Sequence, residues 1–286
     1  MTATIRNGEF ERLRTALLDI PSRIVACSGG IDSLVLATVA HRAAPDRTVV
    51  AHTVTPAVPS DATARVVAYT RRDGWALDLV RSAEFDDERY LSNPTDRCYY
   101  CKSHLYDAIA EATAIASRGP DATVVSGANV DDLGEYRPGL LAAEQRGVRH
   151  PYIEAALGKA DVRAIARHLK LPEATLPASP CLASRLYTGT RVTADLLHAV
   201  EAGEAVVRQM ADVAVARCRI RGDEVLVEVP DDDRPSITPD VLGAVATAMT
   251  AISPSLRSVS LDDRPYRAGR AITFASASPT PETRTS

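Results

Sequence analysis

The sequence predicts an α/β fold with a doubly wound, mostly parallel sheet, followed by a smaller C-terminal α+β domain. Over the first half of the chain, short apolar runs typical of buried strands alternate with apolar residues at helical spacing. This alternation favours parallel strands joined by helical crossovers. The predicted strands are residues 23–27, 47–54, 75–80 and 122–127, and the predicted helices are residues 8–20, 34–40, 61–73 and 98–117.

The pattern changes from about residue 190. An amphipathic helix at 193–210 precedes two strands, 216–221 and 224–229, with a two-residue hairpin turn between them. A helix at about 239–252 and a strand at about 256–261 complete a small unit. We therefore predict a nucleotide-binding domain at residues 1–185, a substrate or assembly domain at 186–275, and a disordered Ser-, Thr- and Pro-rich tail at 276–286.

Composition narrows the class of protein. The chain has 286 residues, of which 45% are hydrophobic, so it can bury a core in each of two domains. A net charge of −4 and a pI of about 5.9 count against nucleic acid as a partner. The sequence shows no membrane-length apolar run and no signal-peptide pattern, so we expect a cytoplasmic protein with no membrane partner. In that setting, five cysteines indicate metal or sulfur chemistry instead of disulfides.

The loop after the first predicted strand carries the string S-G-G-I-D-S at residues 28–33. A glycine turn lets backbone N–H groups approach an anion, and the start of the following helix adds a positive end. Asp32 would either cap that helix or help hold a magnesium ion that bridges phosphates. The glycines alone would also suit a plain turn between a strand and a helix.

The complete string resembles the PP-loop of the ATP pyrophosphatase superfamily. Members of that group cleave ATP between its α- and β-phosphates to adenylate a substrate. The resemblance implies that this chain binds ATP and Mg²⁺. The residues expected to bind ATP are Ser28, Gly29, Gly30, Asp32, Ser33 and Gly127.

A polar, turn-rich segment follows the fourth predicted strand, at residues 127–139. Ligands of doubly wound sheets bind outside the carboxyl ends of the strands, so this segment and the 28–33 loop should face one cleft. Asp131 and Asp132 could hold magnesium, and Arg137 could meet a phosphate or a carboxylate. By itself the segment would also suit an ordinary loop.

Cys98 and Cys101 lie three residues apart at a predicted helix start, which lets both sulfurs reach one ion or cluster. The spacing is compatible with a redox pair, half of a zinc site, two iron–sulfur ligands or two incidental cysteines. Cys181 follows a proline-rich loop that suits an exposed, positioned side chain. Three cysteines make an incomplete zinc site, whereas in a cluster they leave one iron open to hold sulfide. Cys27 and Cys218 lie in predicted strands and are expected to be structural.

Arginines alternate along the first strand of the predicted hairpin, at Arg217, Arg219 and Arg221, and therefore share one face. If residues 222 and 223 form the turn, Arg217 lies opposite Glu228 and Arg219 lies opposite Leu226. This face could bind an anionic substrate. A solvated face with one cross-strand ion pair is equally compatible with the sequence.

Together and in this order, these segments resemble the LarE family of ATP-dependent sulfur transferases, from residue 28 to about residue 267. The most specific segments are residues 28–33, 96–102, 127–139 and 181–185, and residues 158–163 match the family's entry into a helix. The resemblance implies a role in making the nickel-pincer nucleotide cofactor of lactate racemase and related enzymes. The family's substrate is pyridinium-3,5-biscarboxylic acid mononucleotide, whose carboxylate is adenylated and then receives sulfur as a thiocarboxylate.

Family members take this sulfur from one of two sources. One source is a lone, sacrificial cysteine at the Cys181 position, and the other is a 4Fe-4S cluster held by three cysteines. Because Cys98, Cys101 and Cys181 are all present, the resemblance favours a catalytic cluster that carries extra sulfide.

The resemblance also implies roles for charged residues and a homo-oligomeric assembly. Substrate or phosphate binding is implied for Arg97, Arg137, Arg185, Arg217 and Arg219, and metal binding near the sulfur for Glu204 and Glu228.

Other functions are compatible with parts of the sequence. The main alternative is a tRNA thiolation enzyme, which would need a basic surface. An amidating or ligating PP-loop enzyme and a non-enzymatic iron–sulfur or zinc scaffold are further alternatives.

Overall fold

The computed structural model describes residues 7–115, 122–134 and 137–273. Its parallel sheet has the spatial order β3-β2-β1-β4, with every pairing parallel. A single parallel bridge between Val125 and Arg149 continues the order beyond β4. The strands are β1 (Arg23–Ala26), β2 (Thr48–Thr53), β3 (Leu77–Val80) and β4 (Thr123–Ser126). The predicted α/β class and all four predicted strands are confirmed.

Helices cover both faces of this sheet. The helices of the first unit are α1 (Asn7–Leu18), α2 (Ile31–Ala43), α3 (Ser60–Asp73), α4 (Glu88–Leu91), α5 (Arg97–Ile115), α6 (Pro138–Glu144), α7 (Pro151–Glu154) and α8 (Lys159–His168). Val25, Val50 and Val125 point into a core shared with α1, α2 and α8. Ile24 and Ala51 point to the opposite face, where they pack with Ile109 of α5. Successive side chains of each strand thus pack against helices on opposite faces of the sheet, which is the doubly wound arrangement that the sequence predicted.

The carboxyl ends of the strands place the candidate functional segments along one edge. The order of the sheet reverses at β1, which has β2 on one side and β4 on the other. Such a switch point leaves a crevice outside the strand ends. The 28–33 loop follows β1, and the 127–134 segment follows β4. The cysteine-bearing helix α5 is reached by the chain that leaves β3 at the same edge.

The second unit contains α9 (Ala194–Ala211), β5 (Arg217–Arg221), β6 (Glu224–Glu228), α10 (Pro239–Ile252) and β7 (Ser258–Leu261). β5 and β6 are antiparallel, and α10 crosses over to β7, which lies parallel to β6. Gly222 begins the hairpin turn with φ of +62°, a left-handed conformation that glycine adopts without strain. The predicted register is confirmed, since Arg217 lies opposite Glu228 and Arg219 lies opposite Leu226.

The core of the second unit also includes residues from the first. Ala57, Tyr90 and Leu182 pack in the same cluster as α9, α10 and the hairpin. The Leu182 N–H donates to the carbonyl of Ala57 at 2.8 Å. The two units are therefore in contact through the chain near Cys181, and the division at residue 185 stays a prediction. The predicted tail at 276–286 lies outside the described residues.

Within the described ranges, helices that combine the length and apolarity needed to cross a membrane are absent.

Candidate active site

The 28–33 loop is held in shape by its own residues. Gly29 has φ of +77°, and a Cβ at this position would lie 2.6 Å from the Ala62 carbonyl oxygen, so the position requires glycine. The Ser33 hydroxyl donates to the Gly30 carbonyl at 2.9 Å and accepts the Ser28 N–H at 3.1 Å. Arg65, which the sequence analysis did not identify, donates to the Gly29 carbonyl at 3.1 Å. The loop thus adopts a defined shape before any ligand binds.

The two loops that were predicted to face one cleft do meet. A Cβ on Gly127 would lie 3.2 Å from the Ser33 nitrogen, so the end of β4 abuts the start of α2. Gly30 is the N-cap residue of α2, which places Asp32 in the first turn and not at the cap. Of the two roles considered for Asp32, magnesium binding is therefore the one that its position still allows.

The charges around Asp32 suit a cation and a polyphosphate. Burial and the nearby Asp132 carboxylate raise the pKa of Asp32, while Lys159 and Arg163 act in the opposite direction. The Asp132 Oδ1 lies 3.0 Å from Arg137 Nη2 and 3.3 Å from Lys159 Nζ. Two carboxylates thus lie near each other with cationic side chains beside them. Mg²⁺ is commonly bound by one or two carboxylates together with substrate phosphates, so the residues fit this ion.

Cys98, Cys101 and Cys181 converge, although they come from two distant parts of the chain. Cys98 and Cys101 occupy the first turns of α5, and Cys181 immediately precedes a short 3-10 turn at Leu182–Arg185. Burial raises the pKa of Cys98, and the Cys181 thiolate adds to the effect. Burial raises the pKa of Cys101 to about 12, with smaller contributions from Cys181, Glu84 and Cys98. The three thiols are therefore close enough to interact electrostatically.

The donor set at the three-cysteine site is the type that iron–sulfur clusters use, since cysteine thiolates are their usual ligands. Within the described ranges, no three His, Cys, Asp or Glu side chains are placed to hold one metal ion. Each thiolate of a four-iron cluster binds a different iron, so its ligands stand farther apart than those of one zinc ion. All three cysteines are partly buried, and Cys101 and Cys181 lie against the apolar core.

Cationic side chains lie near the three cysteines. Burial lowers the pKa of Arg97, but the Cys181 and Cys98 thiolates outweigh it and raise the pKa overall. The Arg97 guanidinium is buried and donates to the Ala183 carbonyl at 3.0 Å. Arg97 therefore links the start of α5 to the Cys181 segment.

Helix α6 packs closely on the start of α5. A Cβ on Gly139, in the first turn of α6, would lie 3.0 Å from Lys102 Cγ and 3.6 Å from the Cys98 carbonyl. Helix α6 therefore connects the cysteine site to the cleft at Asp132.

The other two cysteines have a different environment. Cys27 and Cys218 are both buried. Burial raises the pKa of each thiol, which keeps the sulfur protonated and unreactive. Their burial agrees with the structural role that was predicted for them.

Arg185 fixes the Cys181 segment to α9. Its Nε and Nη2 donate to the two carboxylate oxygens of Glu204 at 2.8 and 3.0 Å. Its Nη1 donates to the carbonyls of Pro180 and Cys181 at 2.7 and 3.1 Å. Arg185 is almost fully buried, so this bidentate pair orients the backbone at Cys181.

Two of the three strand arginines, Arg217 and Arg219, are buried, contrary to the solvated alternative, whereas Arg221 at the end of β5 is exposed. Arg217 is 6% exposed and Arg219 is 3% exposed. Arg219 Nε donates to Glu228 at 2.8 Å, and Arg270 Nη1 donates to the other Glu228 oxygen at 2.8 Å. Because Glu204 and Glu228 are both paired with arginines, their proposed metal binding would require these pairs to rearrange. That role stays a prediction.

Arg217 has the longest carboxylate contact in this network, and its guanidinium donates to the carbonyls of Ala216 and Ala178 at 2.7 and 2.9 Å. Burial and the neighbouring Arg185 lower its pKa, and Glu204, its nearest carboxylate partner, lies 3.8 Å away. Arginines outnumber carboxylates in the network, which contains Arg185, Arg208, Arg217, Arg219, Arg264 and Arg270 against Glu204, Glu228 and Asp262. The surplus positive charge beside Cys181 suits an anionic ligand.

Comparison with known proteins shows the family to which this chain belongs. No protein-family model matches the chain. It is 30% identical over 220 residues to the pyridinium-3,5-bisthiocarboxylic acid mononucleotide synthase of Lactiplantibacillus plantarum, covering 77% of this chain and 78% of that enzyme. The chain belongs to the LarE family.

Two further relatives extend the comparison without naming an activity. An uncharacterized protein of Synechocystis sp. is 33% identical over 236 residues, which cover 82% of this chain and 86% of that protein. An uncharacterized protein of Methanocaldococcus jannaschii is 27% identical over 209 residues, which cover 73% and 78%. Membership of the LarE family confirms the family resemblance drawn from the motifs, and the type of sulfur source stays a prediction.

Proposed function

We propose that this chain is an ATP-dependent sulfur transferase that acts on pyridinium-3,5-biscarboxylic acid mononucleotide. It would convert the carboxylates to thiocarboxylates, working in the cytoplasm as a homo-oligomer with ATP, Mg²⁺ and a 4Fe-4S cluster. The observation that carries the proposal is the convergence of Cys98, Cys101 and Cys181 beside a cleft with a phosphate loop. The name of the L. plantarum relative supports this substrate class.

The first step would activate the carboxylate. A substrate carboxylate oxygen attacks the α-phosphorus of ATP, which forms an acyl adenylate and releases pyrophosphate. The N–H groups of the 28–33 loop and the start of α2 would bind the phosphates. Asp32 and Asp132 would hold Mg²⁺, and Arg137 and Lys159, which lie beside Asp132, would neutralise the leaving pyrophosphate.

The second step would deliver sulfur to the same carbon. A sulfide nucleophile attacks the acyl carbon and AMP leaves with the original oxygen, so the product is a thiocarboxylate. A cluster bound by Cys98, Cys101 and Cys181 would supply this sulfide. Arg185 orients the Cys181 backbone, and the surplus charge at Arg217 would bind the phosphate of the mononucleotide.

The test is anaerobic purification followed by analysis of iron, labile sulfide and zinc, with an absorption spectrum. We expect about four irons per chain, lost in Cys98→Ala. ATP- and substrate-dependent release of pyrophosphate should accompany thiocarboxylate formation over many turnovers. Zinc without iron, or no pyrophosphate release, would contradict the proposal and favour a scaffold.

The same preparation separates the two sulfur sources. Without iron, a Cys181 side chain that loses its sulfur after one turnover, seen by mass spectrometry, would establish the sacrificial mechanism. Thiolation of tRNA instead of the mononucleotide would overturn the substrate assignment. The net charge of −4 argues against that outcome, because tRNA binding relies on phosphate contacts.

A further inference from the structure

Residues 174–181, here called the Cys181 arm, follow α8 in the chain and end at Cys181. The arm begins in a 3-10 turn at Pro172–Thr175 and has no regular secondary structure from residue 176 to residue 181. Residues 177–180 are exposed. An exposed, irregular segment has few apolar contacts to fix its course, so other contacts must hold it.

The carbonyl oxygens of every second residue of the Cys181 arm accept hydrogen bonds from arginine side chains. These acceptors belong to Ala174, Leu176, Ala178 and Pro180. The donors are Arg163 of α8, Arg217 of β5 and Arg185, which follows Cys181. A hydrogen bond from a charged donor is stronger than one between neutral groups. Three separate elements therefore set the course of the arm.

Arg163 holds the base of the Cys181 arm to α8, a helix that packs on the parallel sheet. Its Nη1 donates to the Ala174 carbonyl and its Nη2 to the Leu176 carbonyl, each at 3.1 Å. The two nitrogens belong to one rigid plane, so they fix both carbonyls relative to the helix. A further bond supports the same base, since the Tyr69 hydroxyl donates to the Glu173 carboxylate.

Helix α8 also borders the cleft. Lys159, its first residue, donates its N–H to Asp131 Oδ2 at 2.6 Å, and its Nζ lies 3.3 Å from Asp132 Oδ1. Arg163 follows one helical turn later, about 6 Å along the axis. Val162 is buried in the core that α8 shares with α2. Helix α8 therefore forms a fixed link between the cleft and the Cys181 arm.

We propose that Arg163 is a positioning residue that sets the place of Cys181 relative to the acyl adenylate formed in the cleft. The inference rests on the proposed function, because it concerns the transfer step of that reaction. Water can also attack the acyl carbon, which releases AMP and regenerates the carboxylate, so ATP is consumed without product. A fixed arm brings the sulfur to the acyl carbon before water attacks it. Arg163 thus determines how many adenylates yield a thiocarboxylate, and it does so without contacting the substrate.

Three variants test this role. Arg163→Met removes both donors and keeps an unbranched side chain, and Arg163→Lys is the conservative variant, which keeps the charge but lacks the planar fork. Arg23→Met is the matched control. Arg23 Nη1 donates to the Leu17 carbonyl at 2.6 Å, at the amino end of β1 and therefore at the edge of the sheet opposite the cleft. This control also removes a bond from an arginine to a carbonyl, so it reports the effect of a general loss of stability.

The first measurement is hydrogen exchange of peptides that span residues 174–182, followed by mass spectrometry on the anaerobically purified protein without nucleotide. The Leu176 N–H donates to the Glu173 carbonyl at 2.8 Å and exchanges when the base of the arm opens. Arg163→Met should exchange about tenfold faster there, because two hydrogen bonds are lost. Arg163→Lys should lie between this variant and the wild type, and Arg23→Met should match the wild type.

The second measurement compares pyrophosphate release with thiocarboxylate formation in one assay. The wild type should release about one pyrophosphate for each thiocarboxylate, and Arg163→Met about ten, because a misplaced sulfur loses the adenylate to water. KM for ATP should not change. Arg163→Lys should restore part of the coupling, and Arg23→Met should keep the wild-type ratio. A purely structural loss would lower both products together and leave their ratio unchanged.

The outcomes separate this inference from the proposed function. An unchanged ratio in Arg163→Met would overturn the inference, and so would unchanged exchange of the Cys181 arm. A higher KM for ATP at the wild-type ratio would assign Arg163 to nucleotide binding instead. A wild type that forms no thiocarboxylate would contradict the proposed function, whereas faster exchange in Arg163→Met would still support its hold on the arm.

Discussion

The cleft at the 28–33 loop and the arginine network are built in opposite ways. In the cleft, consecutive residues 28–33 supply backbone N–H groups, and the loop is closed by its own Ser33 hydroxyl. In the network, Arg185 and Arg219 reach carboxylates on other elements and are already paired. A loop that offers backbone N–H groups can be built from consecutive residues. A site that discriminates among anions needs charges arranged by the whole fold.

This difference has an energetic side. A backbone loop costs little when it is empty, because its N–H groups remain accessible. A buried ion pair gains little over apolar packing, yet it is costly to break because a charge is left unpaired. Substitutions in the cleft should therefore change activity more than stability, and those in the network should show the reverse, except at Arg217.

The largest effect is expected for Asp32→Asn. Pyrophosphate release and thiocarboxylate formation should fall together by about 100-fold, because the charge that holds Mg²⁺ is lost. Both products are measured in the same assay. A loss confined to thiocarboxylate would place Asp32 outside the nucleotide site.

The same variant has an opposite effect on stability. Because the pKa of Asp32 is raised by burial and Asp132, the ionised carboxylate destabilises the folded state at neutral pH. Without nucleotide, Asp32→Asn should therefore melt at a higher temperature than the wild type at pH 7.5. The difference should close as the pH falls through the raised pKa of Asp32, where the wild type takes up its proton. A lower melting temperature of the variant at pH 7.5 would contradict this account.

Cys181→Ala should abolish one half-reaction. Sulfur transfer should become undetectable while substrate-dependent pyrophosphate release stays within about twofold, because the thiol acts after adenylation. Cys218→Ala is the control, since that buried thiol lies outside the site. Loss of pyrophosphate release in Cys181→Ala would assign the residue to folding or nucleotide binding instead.

Arg219→Gln should mainly lower the stability of the fold, whereas Arg217→Gln should mainly weaken substrate binding. Removing Arg219 leaves the buried Glu228 with one partner fewer, which should cost about 3 kcal/mol in denaturant unfolding. Removing Arg217 relieves repulsion by Arg185 but loses its hydrogen bonds to the carbonyls of Ala216 and Ala178. The cost should therefore be about 1 kcal/mol, less than for Arg219, while KM for the mononucleotide should rise about tenfold. KM for ATP should not change in Arg217→Gln. Equal destabilisation by both substitutions would remove Arg217 as the substrate-binding residue.

The smallest effect is expected at two glycines with similar backbone conformations. Gly29 and Gly74 have φ of +77° and +73°, but of these two glycines Gly29 alone has described atoms within 4 Å of an added Cβ. Gly74→Ala should cost about 1 kcal/mol for the left-handed conformation alone. Gly29→Ala should cost roughly twice that and raise KM for ATP, because its Cβ meets the Ala62 carbonyl. Similar KM values for ATP in both variants would mean that the loop tolerates a side chain.

The sequence predicts most of the sheet and of the PP-loop because their signals are local. Buried runs such as residues 23–27 and the turn at Gly222 depend on neighbours in the chain, and the structure confirms them. The convergence of Cys181 with Cys98 was inferred from family resemblance. Spacing alone does not predict it, because the two lie on different elements.

What the sequence missed depends on tertiary contacts. The helices α4 and α6 have four and seven residues, too few for a periodic apolar pattern. The pairing of Arg185 with Glu204 depends on how α9 packs beside the Cys181 segment. Arg163 is an ordinary helix residue by pattern, and its bonds to the Cys181 arm appear once the arm is packed beside α8.

The anchoring of Cys181 has a mechanical consequence. Cys98 and Cys101 belong to a helix that packs on the parallel sheet, whereas Arg185 ties the Cys181 backbone to α9 in the second unit. Any inorganic group bound by all three sulfurs would be a cross-link between the two halves of the molecule. Oxygen that destroyed such a group would therefore also remove a covalent link between the two units. The damage would be visible as a change in molecular shape and in protease resistance, in addition to the loss of sulfur transfer.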